Sequence, residues 1–314
     1  MASAADRTLH VLTGATAVGK TEWALRWAEA NDAEIISCDS LLFYRGMNVG
    51  TAKPNAQELS RVRHHLIDLL PVREAMNIAR YAELAQAAVA DIAARGRRIL
   101  ITGGSGFYLK SFFTATTDQV EVPDDIRVQV AALEAAGGVE ALVAELERHN
   151  PLGLGTLDQD NPRRVARALE RCLASGRPLA DLQADFAALP APFPGWRLAV
   201  VQLDRPREAL APRIEARVRA MLAKGLVEEV RGLLAQGLAD NPSASRAIGY
   251  REVIEVLAGT APEPGLAERI AANTRALVKK QRTWFRTQLP PHAVIDPGTG
   301  NAADLFADLR RTQV

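Results

Sequence analysis

Short apolar runs alternate along the chain with longer amphipathic stretches, the pattern of a parallel sheet covered by helices. The runs are Leu9-His10-Val11-Leu12, Glu34-Ile35-Ile36-Ser37, Arg97-Arg98-Ile99-Leu100-Ile101-Thr102 and Arg197-Leu198-Ala199-Val200-Val201-Gln202-Leu203-Asp204. The third is uninterrupted, as a strand at a sheet centre requires. His64-His65-Leu66-Ile67-Asp68 reads as a further buried strand. Its adjacent histidines would point to opposite faces, which makes them a poor metal pair. Helical spacing predicts a helix from about Lys20 to Ala30, with Trp23, Ala24, Trp27 and Ala28 on one side, and another from Ile78 to Arg95, stopped by Gly96. Further helices are expected at about 207–222, 226–236, 245–258 and 266–286.

From about Asp118 to Pro194 the strand-like runs disappear and prolines punctuate short helical stretches. The expected architecture is an α/β fold: a P-loop NTPase-like core, its parallel sheet flanked by helices, with a mostly helical insertion. Residues 1–117 form the first part of the core, 118–195 the insertion, and 196–314 complete the core with basic C-terminal helices.

The first run leads into Gly14-Ala15-Thr16-Ala17-Val18-Gly19-Lys20-Thr21, which is G-x-x-x-x-G-K-T between a strand and a helix. That is a phosphate-binding loop. Its glycines let backbone N–H groups turn toward an oxyanion, Lys20 adds a point charge, and Thr21 offers a hydroxyl to a magnesium ion bridging phosphates. The second run ends at Cys38-Asp39-Ser40. Ligands of parallel sheets sit beyond the carboxyl ends of the strands, so Asp39 should face the phosphate loop. It suits a general base or an outer ligand of magnesium; a helix cap is the structural alternative. The third run ends in Gly103-Gly104-Ser105-Gly106-Phe107-Tyr108, a second glycine-rich turn that would bring Ser105 and a helix N-terminus to the same edge. No Asp or Glu ends this strand, which weakens the case for a hydrolytic ATPase. The polar, glycine-containing stretch from Tyr44 to Pro54 is a long loop of the kind that tends to be functional.

Composition narrows the picture. The 314 residues are 48% hydrophobic, enough for a full-sized core, and the net charge of +1 gives no global field for a polyanion. Any nucleic acid must be met by local patches. Cys38 and Cys172 are the two cysteines, which excludes a disulfide framework. Met1 to Arg7 is too polar for a signal peptide and no run of about 18 apolar residues occurs, so a soluble cytoplasmic protein is expected.

Two basic clusters stand out. Arg163, Arg164, Arg167 and Arg171 share one side of a helix. Between Arg269 and Arg286 there are six basic residues and no acidic one, with Arg275, Lys279, Arg282 and Arg286 in a single stripe opposite Ile270, Leu277 and Trp284 and, more obliquely, Val278 and Phe285. A charge cluster is usually a solvated face, but an uncompensated stripe on a docked helix suits a polyanion.

Taken together, these pieces resemble the bacterial tRNA dimethylallyltransferases. The match includes the phosphate loop, Asp39-Ser40, the Tyr44-to-Pro54 loop, His64-His65-Leu66-Ile67-Asp68, Gly103 to Tyr108, Arg167-Ala168-Leu169-Glu170, Ser245-Arg246-Ala247-Ile248-Gly249-Tyr250-Arg251 and Lys279-Lys280-Gln281-Arg282-Thr283-Trp284. The resemblance implies transfer of a dimethylallyl group from dimethylallyl diphosphate to N6 of the adenine 3′ of the tRNA anticodon, with Mg2+. It implies catalytic roles for Asp39 as base, Ser105 as hydrogen-bond donor to the bridging oxygen and Arg246 as clamp on the leaving group. Gly14 to Thr21 would hold the diphosphate and Thr21 the metal. Asp39, Ser40, Leu41, Leu42, Ser105, Arg127, Arg163, Arg164, Val165, Ala166 and Arg167 would meet tRNA, joined by Lys279, Arg282 and Arg286 of the basic helix. Ser105 stands where many members have Thr, Leu42 where a polar residue is common, and Arg63 where Pro often precedes the histidines. A monomer is expected. A P-loop small-molecule kinase is the alternative enzyme, with Asp39 activating a hydroxyl. A P-loop nucleic-acid-binding protein without chemistry is the third possibility.

Overall fold

The structure is a computed structural model, described here for residues 7–118 and 120–307. Apart from Arg7, the polar N-terminal stretch lies outside the described residues. The core begins with β1 (Thr8–Gly14), α1 (Lys20–Ala30), β2 (Ala33–Ser37), α2 (Ala56–Arg61), β3 (His64–His65), α3 (Ile78–Ala94), β4 (Arg98–Gly103) and α4 (Gly106–Leu109). Then come α5 (Asp124–Arg148), α6 (Pro162–Ser175) and α7 (Leu179–Ala188). The core resumes with β5 (Arg197–Leu203), α8 (Arg207–Ala223), α9 (Leu226–Leu234), α10 (Pro242–Ser245), α11 (Tyr250–Leu257), α12 (Leu266–Gln288) and β6 (Ala293–Ile295).

Among the described residues six parallel strands form one sheet in the order β3-β2-β4-β1-β5-β6. Strand residues two apart share a face, and the sheet divides its side chains accordingly. Leu9, Val11, Ile36, Ile99 and Ile101 pack on the side that includes α3, α8 and α12. Leu12, Ile35, Leu100, Val201 and Leu203 pack with Trp23, Ala24 and Trp27 of α1. β1, buried along its whole length, ends at the phosphate loop. Its neighbours β4 and β5 bring their carboxyl ends to the same edge.

The structure departs from the sequence reading at four places. The strand expected over His64 to Asp68 is limited to His64–His65, because Leu66 (φ 63) and Asp68 (φ 53) take left-handed backbone that cannot continue a ladder. β6, three residues long, was too short to stand out by pattern. The helix expected over 245–258 starts only at Tyr250, after Gly249 with its φ of 94, and Ser245 is the last residue of the separate four-residue α10. On α12 the buried seam runs through Ile270, Ala271, Thr274, Val278 and Phe285, while Leu277 and Trp284 are half-buried.

By its internal contacts the chain divides into two units: residues 114–191, and residues 1–113 with 192–314. The first unit is helical among its described residues and has its own core, including Val130, Leu142, Leu146, Val165, Leu169 and Leu182.

Candidate functional site

The phosphate loop is shaped by its glycines and fixed by side chains. Gly14 has φ 150, and a Cβ there would lie 2.4 Å from Leu203 O; Gly19, with φ 107, starts α1. Four carbonyls of the loop are occupied by cationic side chains. Lys20 Nζ donates to Gly14 O (2.8 Å) and Ala15 O (3.0 Å), Arg213 Nε to Ala17 O (2.9 Å) and Arg205 Nε to Val18 O (2.9 Å). Thr16 donates through N and Oγ1 to Gln281 Oε1, and Gln281 Nε2 donates to Gly104 O at 2.9 Å. Gln281 of α12 thus ties the phosphate loop to the glycine turn after β4. Arg205, Arg213 and Gln281 were not found by sequence reading, although Arg213 and Arg217 lie one turn apart on α8.

Beside the loop is a cavity of about 530 Å³, within the range of small-molecule sites. Its lining brings together Thr16, Lys20 and Thr21 of the loop, Asp39 from the end of β2, and Arg213 and Arg217 of α8. Leu42, Ile67, Pro54 and Ala24 contribute apolar wall. Burial pushes the Lys20 ammonium down to about 8; the Asp39 charge opposes the shift and Arg217 adds to it. A cradle of positive charge at one end and a carboxylate nearby can bind an anionic leaving group and accept a proton.

Asp39 does not cap a helix, and none follows it. Its Oδ1 accepts from Leu41 N at 3.0 Å, an Asx turn that fixes the half-buried carboxylate. The ends of β2 and β4 touch: Cys38 N donates to Thr102 O at 2.8 Å, and a Cβ on Gly103 would lie 1.9 Å from Cys38 O. Only glycine fits there. Of the three expected catalytic residues, Asp39 lines the cavity and two, Ser105 and Arg246, do not. Ser105 is half-buried behind the glycine turn with its N–H on Cys38 O, and the helix it starts is four residues long. Arg246 caps the four-residue α10 with an exposed side chain.

The loop through Gly50 is held from beneath by a single carboxylate. Glu229 of α9 accepts from Asn48 N (2.9 Å), Val49 N (2.6 Å), Gly50 N (3.0 Å) and Tyr250 Oη (2.7 Å). Gly50 sits on the Tyr250 ring, where a Cβ would approach to 2.5 Å. Next along, Thr51 O accepts from Arg217 Nη2 at 2.9 Å, and Thr51 lines the cavity. Glu229→Ala should therefore cost about 2 kcal/mol or more of stability, since it strands three N–H groups. Amide exchange at Asn48, Val49 and Gly50 should accelerate more than at the β-sheet; equal protection in the variant would show that the carboxylate does not hold the loop.

The basic clusters are more paired than their spacing suggests. Arg282 donates to Asp204 Oδ1 (2.7 and 3.0 Å) and to Arg205 O, so it is an internal brace rather than a free cation. Arg275 lies 3.9 Å from Glu215. Lys279 and Arg286 are exposed, with no side-chain partner among the described residues. In the helical unit Arg164 pairs with Asp158 and Arg167 with Glu170, each at 2.8 Å, and Arg171 with Asp118. Arg127 donates to Val122 O at 3.2 Å. Arg163 is exposed, and Ala166 is half-buried. Val165 is fully buried in that unit's core, so its side chain cannot meet tRNA as expected.

A phosphate loop at the carboxyl edge of a parallel sheet, facing a strand-end carboxylate, defines a P-loop protein built for transfer chemistry on a phosphorylated compound. A family model for IPP transferase matches residues 42–288. The tRNA dimethylallyltransferase of Opitutus terrae is 62% identical over 288 residues, covering 92% of each chain, and that of Deinococcus radiodurans 39% identical over 287, covering 90% of each. The solved tRNA isopentenylpyrophosphate transferase of Bacillus halodurans has a TM-score of 0.67 at 32% identity, covering 92% of this chain and 90% of that one. A eukaryotic dimethylallyltransferase acting on tRNA shares the fold, with a TM-score of 0.81 at 22% identity, covering 97% of this chain and 77% of that one. The chain belongs to the IPP transferase family, the bacterial tRNA dimethylallyltransferases. Among the described residues no helix is long and apolar enough to cross a membrane.

Proposed function

We propose that this enzyme transfers the dimethylallyl group of dimethylallyl diphosphate to the exocyclic N6 of the adenine just 3′ of the tRNA anticodon, position 37, and releases diphosphate. The observation that carries this is the meeting of Lys20, Arg213, Arg217 and Asp39 in one cavity. Adenine N6 is a weak nucleophile because its lone pair is delocalised into the ring. It needs an electrophile that ionises readily, and an allylic diphosphate is one when its departing charge is stabilised. Lys20 and the two α8 arginines are placed to take that charge, each such donor contributing about 2 to 4 kcal/mol. Asp39, anchored by its Asx turn, accepts the N6 proton as the new carbon–nitrogen bond forms. Ser105 and Arg246 carry no step here; Arg213 and Arg217 take the clamp role first given to Arg246.

Mg2+ fits the donor set. Among the described residues no group of three His, Cys, Asp or Glu side chains could enclose a metal. Magnesium, however, is satisfied by one or two protein oxygens with phosphate oxygens and water, and Thr21 supplies a hydroxyl at the cavity. When bound, it neutralises charge on the leaving diphosphate.

The target base is stacked in the anticodon loop and has to be extruded to reach Asp39. Asp39 and Leu42 line the cavity for that encounter, with Ser40 and Leu41 between them in the chain, and Lys279, Arg286 and Arg163 are exposed cations for the phosphate backbone. A tRNA substrate and two buried free cysteines suit the cytoplasm. The kinase alternative leaves these cations unused. Lys279→Ala with Arg286→Ala should weaken tRNA binding and lower the slope of log K against log salt by about one to two; an unaltered slope removes α12 from the interface. The assignment of the acceptor is tested with tRNA whose target adenine is replaced by guanine. It should bind as before and receive no five-carbon group; modification of that guanine would overturn the reading.

A further inference from the structure

Two hydroxyls of the cavity are buried with no hydrogen-bond partner among the described residues: Ser37 Oγ and Thr102 Oγ1. Both residues line the cavity, and Ser37 is 2% exposed. They are register partners on β2 and β4. Two residues earlier on each strand, Ile35 and Leu100 pack against Trp23, Ala24 and Leu25 of α1. Side chains two apart share a face, so Ser37 and Thr102 project toward α1 at the carboxyl edge of the sheet. The first turns of α1 bring Thr21 and Ala24 to the same cavity. Three hydroxyls, of Thr21, Ser37 and Thr102, therefore border one space, with Asp39 two residues beyond Ser37.

Buried hydroxyls are almost always paired, so this pair calls for a ligand. A phosphate oxygen is one candidate, but it only accepts, and Lys20, Arg213 and Arg217 already supply donors with full charge. It would leave the hydroxyl lone pairs unused. Water bound to a divalent cation has the complementary character: polarised by the ion, it donates strongly and seeks uncharged or anionic oxygens. Magnesium keeps several such waters when few protein groups ligate it directly. The cavity offers that combination, one direct hydroxyl on Thr21 and acceptors set back on two strand ends.

We propose that Ser37 and Thr102 form the outer half of the cation site, hydrogen-bonding the water shell of the divalent ion that Thr21 and the diphosphate hold directly. The proposal rests on the reading of Thr21 and diphosphate as cation ligands given above. Outer partners of a metal site orient what the ion holds, and their loss typically lowers metal affinity about 10- to 100-fold.

The test is the Ser37→Ala, Thr102→Val double variant, with Mn2+ as probe, its binding followed by electron paramagnetic resonance in saturating inorganic diphosphate. The Mn2+ Kd should rise about 10- to 100-fold. Diphosphate affinity measured with a chelator present should stay unchanged, and so should the thermal midpoint of the unligated protein, because the hydroxyls have no protein partner to lose. Thr102→Val alone, which keeps the side-chain volume, should raise the Kd in the same direction and serves if the double variant does not fold. An unchanged Mn2+ Kd overturns the proposal. So does weakened diphosphate binding without metal, which would put the hydroxyls on the anion. Wild-type protein that takes up no Mn2+ beside diphosphate overturns the cation reading itself, and this proposal with it.

Discussion

Asp39→Asn should lower the single-turnover rate of prenyl transfer by about 100-fold or more while the protein still binds dimethylallyl diphosphate. Asparagine keeps an Oδ1 that can accept from Leu41 N, so the Asx turn and the position of the side chain survive. What disappears is the basicity needed to take the proton from N6. A second effect follows from the charge. Asp39 holds the Lys20 pKa up against burial, and its neutralisation lets that pKa fall further below about 8. Comparing variant and wild type across pH separates the two effects: loss of the base lowers the rate at every pH, whereas loss of the Lys20 charge is recovered as the pH falls. Rapid-quench assays with saturating substrates read the chemical step directly; a rate equal to wild type would remove Asp39 as the base.

Lys20→Met should reduce kcat/KM for dimethylallyl diphosphate by about 100-fold or more, because it removes a preorganised cation from the leaving group. The wild-type pH dependence gives an independent check. Burial lowers the Lys20 pKa to about 8 in the unligated protein, and a bound polyanion raises it again. Below that pH the lysine is already charged and binding takes up no proton. Above it each binding event must protonate Lys20, so affinity should fall by up to about tenfold per pH unit until the ligand-bound pKa is reached. Diphosphate titrations from pH about 7 to 9.5 should show this decline in the wild type, and Lys20→Met should lack it. A flat wild-type profile would contradict a buried, titrating lysine at the site.

Much of the site was legible because its requirements are local. A phosphate loop is eight contiguous residues with glycines at fixed places, and Asp39 follows a strand whose end marks the functional edge. The same holds for the principal strands, whose apolar runs are long enough to detect. The rest depends on partners distant in the chain. Gln281 serves the phosphate loop across 265 residues and Glu229 holds Val49 across 180, distances over which helical spacing says nothing about what a side chain meets. Arg282 shows the same limit in reverse. Periodicity placed it correctly in a cationic stripe, but the nearby carboxylate of Asp204 comes from the end of β5 and neutralises it. Val165 sits among arginines in sequence, yet its own direction on α6 takes it into the core. Leu66 and Asp68 looked strand-like by composition, and their left-handed backbone could not be read from residue type.

The central claim is that the phosphate loop holds a leaving group rather than a group to be transferred. Its most direct measurement offers the protein unmodified tRNA with dimethylallyl diphosphate, and separately with ATP, and examines the tRNA by mass spectrometry. The expected result is a five-carbon addition on adenine with free diphosphate in the first reaction and unchanged tRNA in the second. A phosphorylated product from ATP, with no five-carbon addition from the diphosphate, would contradict the account.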